Sequence, residues 1–270
     1  MNVGLARRVA EAGLDWIIPN WEVSPRVHAL STTRHGGVSS GAQATLDLGP
    51  GSLPAGVAAA PILENRRTLA QFLPAPPVWL AQRHEADIAQ IDASNATAMV
   101  ASPPAVDAAV TREPNIVLCV RTADCLPVLF ADRAGTTIGI AHAGWRGLAA
   151  GILEATVATL RCAPTEIVAW LGPAIGPRSF EVGRDVYDAF CAADADVARY
   201  FRSNGDSKWF ADLYGIARTR LARLGVRRVT GGDYCTMLEA ARFFSYRRER
   251  DTGRMATLIW LEAERFLPLS

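Results

Sequence analysis

The sequence predicts an α+β fold in a single domain. Strand-like apolar segments arrive in clusters along the 270 residues, and helical segments stand between these clusters instead of alternating with single strands. This order favours α+β over a doubly wound parallel sheet. Half of the residues are hydrophobic, which is enough for a sizeable core. No repeat, low-complexity tract or long linker divides the chain, so we assign residues 1–270 to one domain.

The first third of the chain combines helical and irregular patterns. Apolar side chains recur with a helical period over 3–14, and 26–33 has a strand pattern that leads into the glycine- and serine-rich loop 34–41. The stretch 50–63 is rich in Pro, Gly and Ala and is predicted to be an irregular connection. Residues 64–73 predict a helix that ends at a proline-rich segment.

The rest of the chain is richer in strand patterns. Apolar β-type runs lie at 78–82, 116–120, 128–130, 137–141, 167–171 and 255–261. Glycines at 144, 147 and 151 mark the start of a helix predicted to reach residue 160. Two further helices are predicted at 183–191 and 209–224, the second with an amphipathic face that we assign to packing.

Charge and cysteine usage exclude several classes of partner. The formal net charge of +1 gives no general attraction to nucleic acid or to anionic membranes, so we expect neither as a partner. Charged residues interrupt the N-terminal segment where a signal peptide needs an apolar core, and no run approaches the roughly 20 apolar residues of a membrane span. The five cysteines have no spacing typical of a disulfide framework. We therefore expect a cytoplasmic protein with reduced thiols.

Three residues with metal-binding chemistry each follow or end a predicted strand. They are His84 in QRHEAD, Cys125 in RTADCLPVLF and His142 in IGIAHAGWRG. Two imidazoles and one thiolate suit zinc or copper better than magnesium or calcium. Three protein ligands also leave a fourth position open, as in catalytic zinc sites.

The same residues permit other interpretations. A lone cysteine after a strand is often a small core side chain, and a lone histidine is often simply hydrogen-bonded. Cys125 is also a candidate nucleophile, with a histidine as its base and Asp124 orienting the imidazole. Residue chemistry alone leaves these alternatives open, because metal binding and nucleophilic catalysis both need a deprotonated sulfur near imidazole.

Polar segments around these three residues suggest an anion-binding role. Arg34, Arg121 and Arg146 are candidates to hold phosphate in bidentate fashion, although each taken singly also fits a solvent-facing charge. Downstream segments add Glu181 and Arg247, and they add Phe180, which fits either stacking on a planar base or core packing.

Taken together, these segments resemble the YfiH-like family, whose members are often labelled laccase-domain or polyphenol oxidase proteins. The resemblance runs from about residue 30 to the C-terminus through TRHGGVSSG, QRHEAD, DAAVT, RTADCLPVLF, AHAGWRGLAAGIL, WLGPAIGPRSFEVG, GGDYCT and FFSYRRERDTGR. It implies that His84, Cys125 and His142 ligate a zinc ion. It also implies a sandwich of two mixed β-sheets with helices outside.

The resemblance further implies an enzyme acting on small molecules. Family members are described as zinc enzymes that phosphorolyse adenosine, inosine and methylthioadenosine and deaminate adenosine. Here Arg34, Arg121 and Arg146 would bind phosphate, Phe180 and Arg247 would contact substrate, and Cys125 with Asp124 or Glu181 would serve catalysis. A bacterial branch is linked instead to an amidase that edits muramyl precursors of peptidoglycan, which we keep as the alternative. A third alternative is a metal-binding interaction module without turnover.

Two features set this sequence apart from what the family pattern and label suggest. Asp47 stands where the family commonly has an asparagine, so a substrate contact there would exchange a donor for a charge. A multicopper oxidase needs a blue-copper centre and further copper ions, and the four histidines of this chain are too few for that set. We expect copper only as a substitute for zinc, with weak oxidase activity.

Overall fold

The computed structural model describes residues 3–50, 59–192 and 194–263. Most of the predicted irregular connection, 51–58, lies outside the described residues. Seven α-helices are described: α1 Val3–Glu11, α2 Ala59–Ala70, α3 Ala96–Ala101, α4 Trp145–Ala149, α5 Ile152–Leu160, α6 Arg184–Cys191 and α7 Leu213–Arg223. None of them is long and apolar enough to cross a membrane.

Thirteen strands form three sheets in the described part of the chain. The strands are β1 Val27–Ser31, β2 Val78–Trp79, β3 Ile88–Ile91, β4 Ala108–Thr111, β5 Leu118–Thr122, β6 Leu126–Asp132, β7 Ile138–Ala143, β8 Ile167–Leu171, β9 Glu181–Val182, β10 Phe201–Ser203, β11 Trp209–Ala211, β12 Arg228–Gly231 and β13 Met255–Leu261. The orders are β12-β8-β6-β7-β4-β3, β1-β13-β5-β2 and β10-β11-β9.

The two larger sheets are both mixed. The six-stranded sheet is antiparallel at its centre and parallel in its outer pairs, β12 with β8 and β3 with β4. The four-stranded sheet pairs β1 and β5 antiparallel to β13, and β2 runs parallel to β5. The third sheet is antiparallel, and the sequence patterns did not predict it.

Strand β6 shows why the central strands read as continuous apolar runs. Successive side chains of a strand point to opposite faces. Leu129 and Ala131 pack in the cluster between the two large sheets, together with β5, β7 and β13. Val128 and Phe130 pack on the other face, against α5 and α7. Because both faces are buried, no polar alternation marks the strand.

Helices close the outer faces of the two sheets. Helices α5, α6 and α7 cover the six-stranded sheet, and α1 and α2 cover the four-stranded sheet through Leu5 and Leu69. The predicted α+β class and the pair of mixed sheets with helices outside are therefore confirmed.

Two predicted helices differ from the observed ones for local reasons. Trp209–Ala211, predicted as the start of a helix, is strand β11. Helix α7 begins after it, where the Asp212 carboxylate accepts the backbone N–H of Gly215 at 2.9 Å. The predicted helix 144–160 is two helices, because Gly151 adopts a positive φ of 91° between α4 and α5.

Candidate metal centre

Strand pairing brings Cys125 and His142 together. Strands β6 and β7 are antiparallel neighbours, and their register pairs Leu126 with Ala143 and Pro127 with His142. Cys125 directly precedes β6, so its side chain lies beside the end of β7. His84 comes from the turn between β2 and β3 and has a positive φ of 65°.

The arrangement of the three side chains fits a tetrahedral metal ion. One ligand atom from each of His84, Cys125 and His142 lies within 4.8 Å of the others, and Sγ of Cys125 is 3.9 Å from Nε2 of His84. Zinc bonds of about 2.0–2.3 Å would draw such atoms to about 3.3–3.6 Å apart, which needs only small side-chain rotations. The donor set of two imidazoles and one thiolate suits zinc or copper.

Gly144 forms one wall of this centre. A Cβ atom at this position would lie 3.0 Å from Sγ of Cys125, 3.3 Å from the His84 ring and 3.5 Å from the His142 ring. The glycine therefore leaves room for the three ligands to converge, whereas its φ of −59° is accessible to any residue.

Asp107 holds two of the three ligands. Its fully buried carboxylate accepts Nδ1–H of His142 at 2.7 Å. It also accepts the backbone N–H groups of Arg83, His84 and Glu85 at 2.9–3.0 Å. Because an ionised carboxylate only accepts hydrogen bonds, His142 carries its proton on Nδ1 and presents Nε2 to a metal.

Burial and mutual charge set the protonation of the centre. Burial would raise the pKa of the Cys125 thiol, but the charge and hydrogen bonds of His142 and His84 outweigh burial and lower that pKa. Burial likewise opposes protonation of His142, yet the Cys125 thiolate and Asp107 raise its pKa. The sulfur is therefore held in the thiolate form that metal binding requires.

The candidate metal centre lies in a cleft of about 710 Å³ lined by many arginines. The lining comprises Gln82, His84, Arg121, Thr122, Ala123, Asp124, Cys125, His142, Trp145, Arg146, Ile175, Phe180, Leu213, Tyr246, Arg247, Arg250 and Arg254. Five arginines thus face the cleft, against one carboxylate. Such a surface favours an anionic ligand.

Asp124 precedes Cys125 and ties several segments to the centre. Its Oδ1 accepts the hydroxyl of Thr236 at 2.6 Å, and its Oδ2 accepts the hydroxyl of Ser245 at 3.0 Å and the backbone N–H of Arg247 at 2.7 Å. The residue is 8% exposed and has a φ of 99°. Three hydrogen bonds hold this carboxylate in place beside the cleft.

Most of the other predicted site residues also line the cleft, but two lie outside its lining. Arg34 donates to the carbonyl groups of Ala44 and Ala240 and lies over the ring of Phe244. The carboxylate of Glu181 accepts the side-chain amide of Asn204 at 2.7 Å.

The remaining predicted residues differ in how accessible they are. Arg121 donates to the carbonyl groups of Gly49 and Leu80, and burial lowers its pKa to about 10, so it stays charged at pH 7. Phe180 is 8% exposed and belongs to a core cluster, although it also lines the cleft. Arg146 and Arg247 are exposed.

Several cleft residues were missed by sequence reasoning. Asp107 stood in the recognised motif DAAVT, but nothing in the sequence linked its carboxylate to the histidines. Trp145, Tyr246 and Arg250 also line the cleft, and the aromatic–arginine pairing in WRG and SYRRER was an available signal.

Asp47 supports the backbone and does not make the substrate contact that the sequence suggested. It is 8% exposed and does not line the cleft. Its Oδ1 accepts the backbone N–H groups of Gly49 and Arg254, an acceptor role that an asparagine oxygen would fill equally.

The fold and the site define a class: an α+β protein with a His–Cys–His cluster, suited to a metal ion, in an arginine-lined cleft. A family model described as "Multi-copper polyphenol oxidoreductase laccase" matches residues 28–262, and the chain belongs to this family. The resemblance seen in the sequence motifs is thereby confirmed.

Named relatives and a solved structure agree with this assignment. The chain is 49% identical over 249 residues to "Purine nucleoside phosphorylase YfiH" of Escherichia coli K12, covering 91% of this chain and 98% of the relative. It is 46% identical over 250 residues to "Purine nucleoside phosphorylase PA4543" of Pseudomonas aeruginosa, with 92% and 98% covered. The crystal structure of Neisseria meningitidis protein NMB0706 superposes with a TM-score of 0.86 at 44% identity, covering 92% of this chain and 100% of that chain.

Proposed function

We propose that this chain is a zinc-dependent purine nucleoside phosphorylase that acts on adenosine, inosine and methylthioadenosine and also deaminates adenosine. The observation that carries the proposal is the convergence of His84, Cys125 and His142 in a cleft with five arginines. The names of the relatives, purine nucleoside phosphorylase, support an enzyme of this type. We expect small-molecule substrates, a purine nucleoside and phosphate.

Some residues of the cleft would bind the metal, and others would bind the substrate. When bound, zinc supplies a Lewis acid that lowers the pKa of a coordinated water to about 7. Arg146 and Arg247 are exposed to the cleft and are the predicted arginines best placed to bind phosphate, with the charge of Arg121 behind them. The hydrogen bonds of Asp124 and Glu181 favour positioning roles over the proton transfer considered from the sequence.

The alternative, an amidase acting on a muramyl–amino acid linkage, draws support from Cys125. Its sulfur lies 3.9 Å from Nε2 of His84, and its lowered pKa favours the thiolate. A thiolate beside imidazole is the arrangement needed for nucleophilic acyl chemistry. Release of L-serine from a UDP-muramyl-serine substrate would decide for this function.

The geometry does not favour a multicopper oxidase. Of the four histidines, His28 bonds Glu262 at 2.9 Å and His35 lies 3.4 Å from Asp15, both outside the metal centre. A single His–Cys–His site would accept copper by substitution, because copper outbinds zinc at most nitrogen and sulfur sites.

The proposal is tested on protein purified without added metal. Elemental analysis identifies the bound ion, and adenosine, inosine and methylthioadenosine are then incubated with and without phosphate. We expect zinc, and phosphate-dependent release of adenine and ribose 1-phosphate from adenosine, with inosine as the deamination product. Well-metallated protein that forms neither adenine nor inosine would overturn the proposal.

A further inference from the structure

The side-chain amide of Gln82 makes two hydrogen bonds to the backbone of a single residue, Arg121. Its Nε2 group donates to the carbonyl oxygen of Arg121 at 2.8 Å, and its Oε1 accepts the backbone N–H of Arg121 at 2.9 Å. The network assigns this orientation of the amide, because the flipped amide would set NH₂ against N–H and oxygen against oxygen. Both ends of the side chain are therefore committed to the backbone, although Gln82 also lines the cleft.

These two bonds stand in place of the next step in the pairing of β2 with β5. The two strands are parallel, and just beyond β2 the backbone N–H of Leu80 still donates to the carbonyl of Cys119 at 3.4 Å. In a parallel ladder such bonds recur at every second residue, so the backbone N–H of Gln82 would be the next to donate to Arg121. The side chain of Gln82 makes this bond in place of the backbone.

The exchange leaves the following backbone free to turn away from β5. The N–H groups of Arg83, His84 and Glu85 all donate to the carboxylate of Asp107 at 2.9–3.0 Å, and His84 has a positive φ of 65°. Successive residues of a strand face opposite ways, so three consecutive N–H groups meet one carboxylate only in a turn. Gln82 thus joins β5 to the turn that carries His84.

Each pair of candidate metal ligands is joined by a different connection. Asp107 joins His84 to His142, and the pairing of β6 with β7 joins Cys125 to His142. The pair of His84 and Cys125 is joined through Gln82, which lies two residues before His84 and bonds the segment that leads from β5 into Cys125.

We infer that Gln82 is a positioning residue for the candidate metal centre. Its amide fixes the turn of His84 relative to Cys125 and thereby raises the affinity for the metal ion. The inference rests on the metal site of the proposed function and is independent of the substrate.

The first test measures zinc affinity by competition with a chelator in two variants. Gln82→Met keeps the length of the side chain without its amide, and Gln82→Asn keeps an amide that is one methylene too short to hold both groups of Arg121. Each should lower zinc affinity by about tenfold, in the range found when supporting contacts of metal ligands are lost. The cobalt form of each variant should also show a changed absorption spectrum, since the geometry around the ion relaxes.

The second test is a double-mutant cycle with His84→Ala. If Gln82 acts by placing His84, Gln82→Met should lower affinity about tenfold in the unchanged protein and by less than about twofold in the His84→Ala background. A general loss of structure would lower affinity equally in both backgrounds. Gln82→Asn, which keeps a polar side chain, takes the same place in the cycle if Gln82→Met does not fold.

Gln90→Met is the matched control. Gln90 is exposed on β3 and lies outside the cleft lining, so the same exchange there should leave zinc affinity and the cobalt spectrum unchanged. Unfolding of the metal-free variants in urea shows that each is folded before metal is added.

Three results would overturn the inference. They are unchanged zinc affinity in both Gln82 variants, an equal loss of affinity in the His84→Ala background, and a raised KM for the nucleoside with zinc affinity unchanged. The last result would assign Gln82 to substrate contact. Failure of the proposed function is distinct, because it appears as absence of turnover while the effects of the Gln82 variants on metal binding persist.

Discussion

The carboxylate of Asp107 lies 2.7 Å from Nδ1 of His142, and the same oxygen accepts the backbone N–H of His84. One buried side chain thus orients the ring of one candidate metal ligand and the backbone of another. Burial opposes ionisation of Asp107, but the hydrogen bonds from His142 and from the backbone N–H groups of Glu85 and Arg83 outweigh it and lower its pKa below the ordinary value. The two candidate ligands are therefore positioned by the same carboxylate.

Replacement of Asp107 should weaken metal binding while Cys125 and the two histidines remain. We expect Asp107→Ala to lower zinc affinity by about 10–100-fold, the usual effect of losing such an outer partner. The zinc affinity of Asp107→Asn should lie between those of the unchanged protein and Asp107→Ala. Its oxygen still accepts a hydrogen bond from His142, but its NH₂ group cannot accept from Arg83 or Glu85. Competition with a chromogenic chelator measures the affinity, and the absorption spectrum of the cobalt form reports the ligand geometry. Unchanged affinity in both variants would contradict the positioning role.

Gly144→Ala tests the space left for the ligands. The added methyl group would press on Sγ of Cys125 at 3.0 Å, so we expect weaker zinc binding with little change in the unfolding transition. Gly176→Ala is the matched control, since its Cβ would lie 3.2 Å from the sulfur of Cys235, away from the metal ligands. Similar loss of zinc in both variants would argue against a specific effect at the centre.

Alkylation of the metal-free protein should single out Cys125. Its pKa is lowered by the neighbouring histidines, so it is more thiolate-rich at pH 7 than Cys162 and Cys191, whose pKa values are raised by burial. Peptide mass spectrometry after brief iodoacetamide treatment should find Cys125 labelled first, and added zinc should protect it. Cys119, fully buried with a pKa raised to about 12, should stay unlabelled in folded protein.

Tyr214→Phe tests how the cleft wall is held. The buried hydroxyl of Tyr214 accepts the backbone N–H of Ala174 at 2.8 Å and lies 3.1 Å from the carbonyl oxygens of Gly172 and Tyr234. Its loss leaves a buried N–H unpaired, which should lower the free energy of unfolding by about 1–3 kcal/mol in urea titrations. Tyr246→Phe, which alters an exposed ring, should change it by less than about 0.5 kcal/mol.

The three candidate metal ligands, which the structure brings together, were easier to predict from the sequence than the residues that support them. His84, Cys125 and His142 carry a chemistry that few residue types share, and each lies at or beside a strand end. Asp107 lies beside His142 only because β4 pairs with β7 in a register that sets Ala108 opposite Ala141. The pattern of residues along a single strand does not predict its register with a neighbour.

The arginines of the cleft wall were likewise only partly predictable from the sequence. Arg34 and Arg250 both lie in glycine- or arginine-rich segments, yet loop packing turns the first toward backbone carbonyl groups and the second toward the cleft. Composition predicted an anion-binding surface, but which arginines form it depends on tertiary contacts. Likewise, Trp209 and Phe210 continue the apolar pattern of α7, and only pairing with β9 and β10 makes them a strand.

Because the segment 245–250 is anchored to Asp124, the lining of the cleft can change in evolution or engineering without a change in the His–Cys–His cluster. The candidate metal ligands come from the start of β6, the end of β7 and the turn after β2, whereas Tyr246 and Arg250 lie on a surface segment held by Ser245, Arg248 and the Arg247 backbone. Substitutions at positions 246 and 250 therefore change the lining of the cleft while the His–Cys–His cluster keeps its supports.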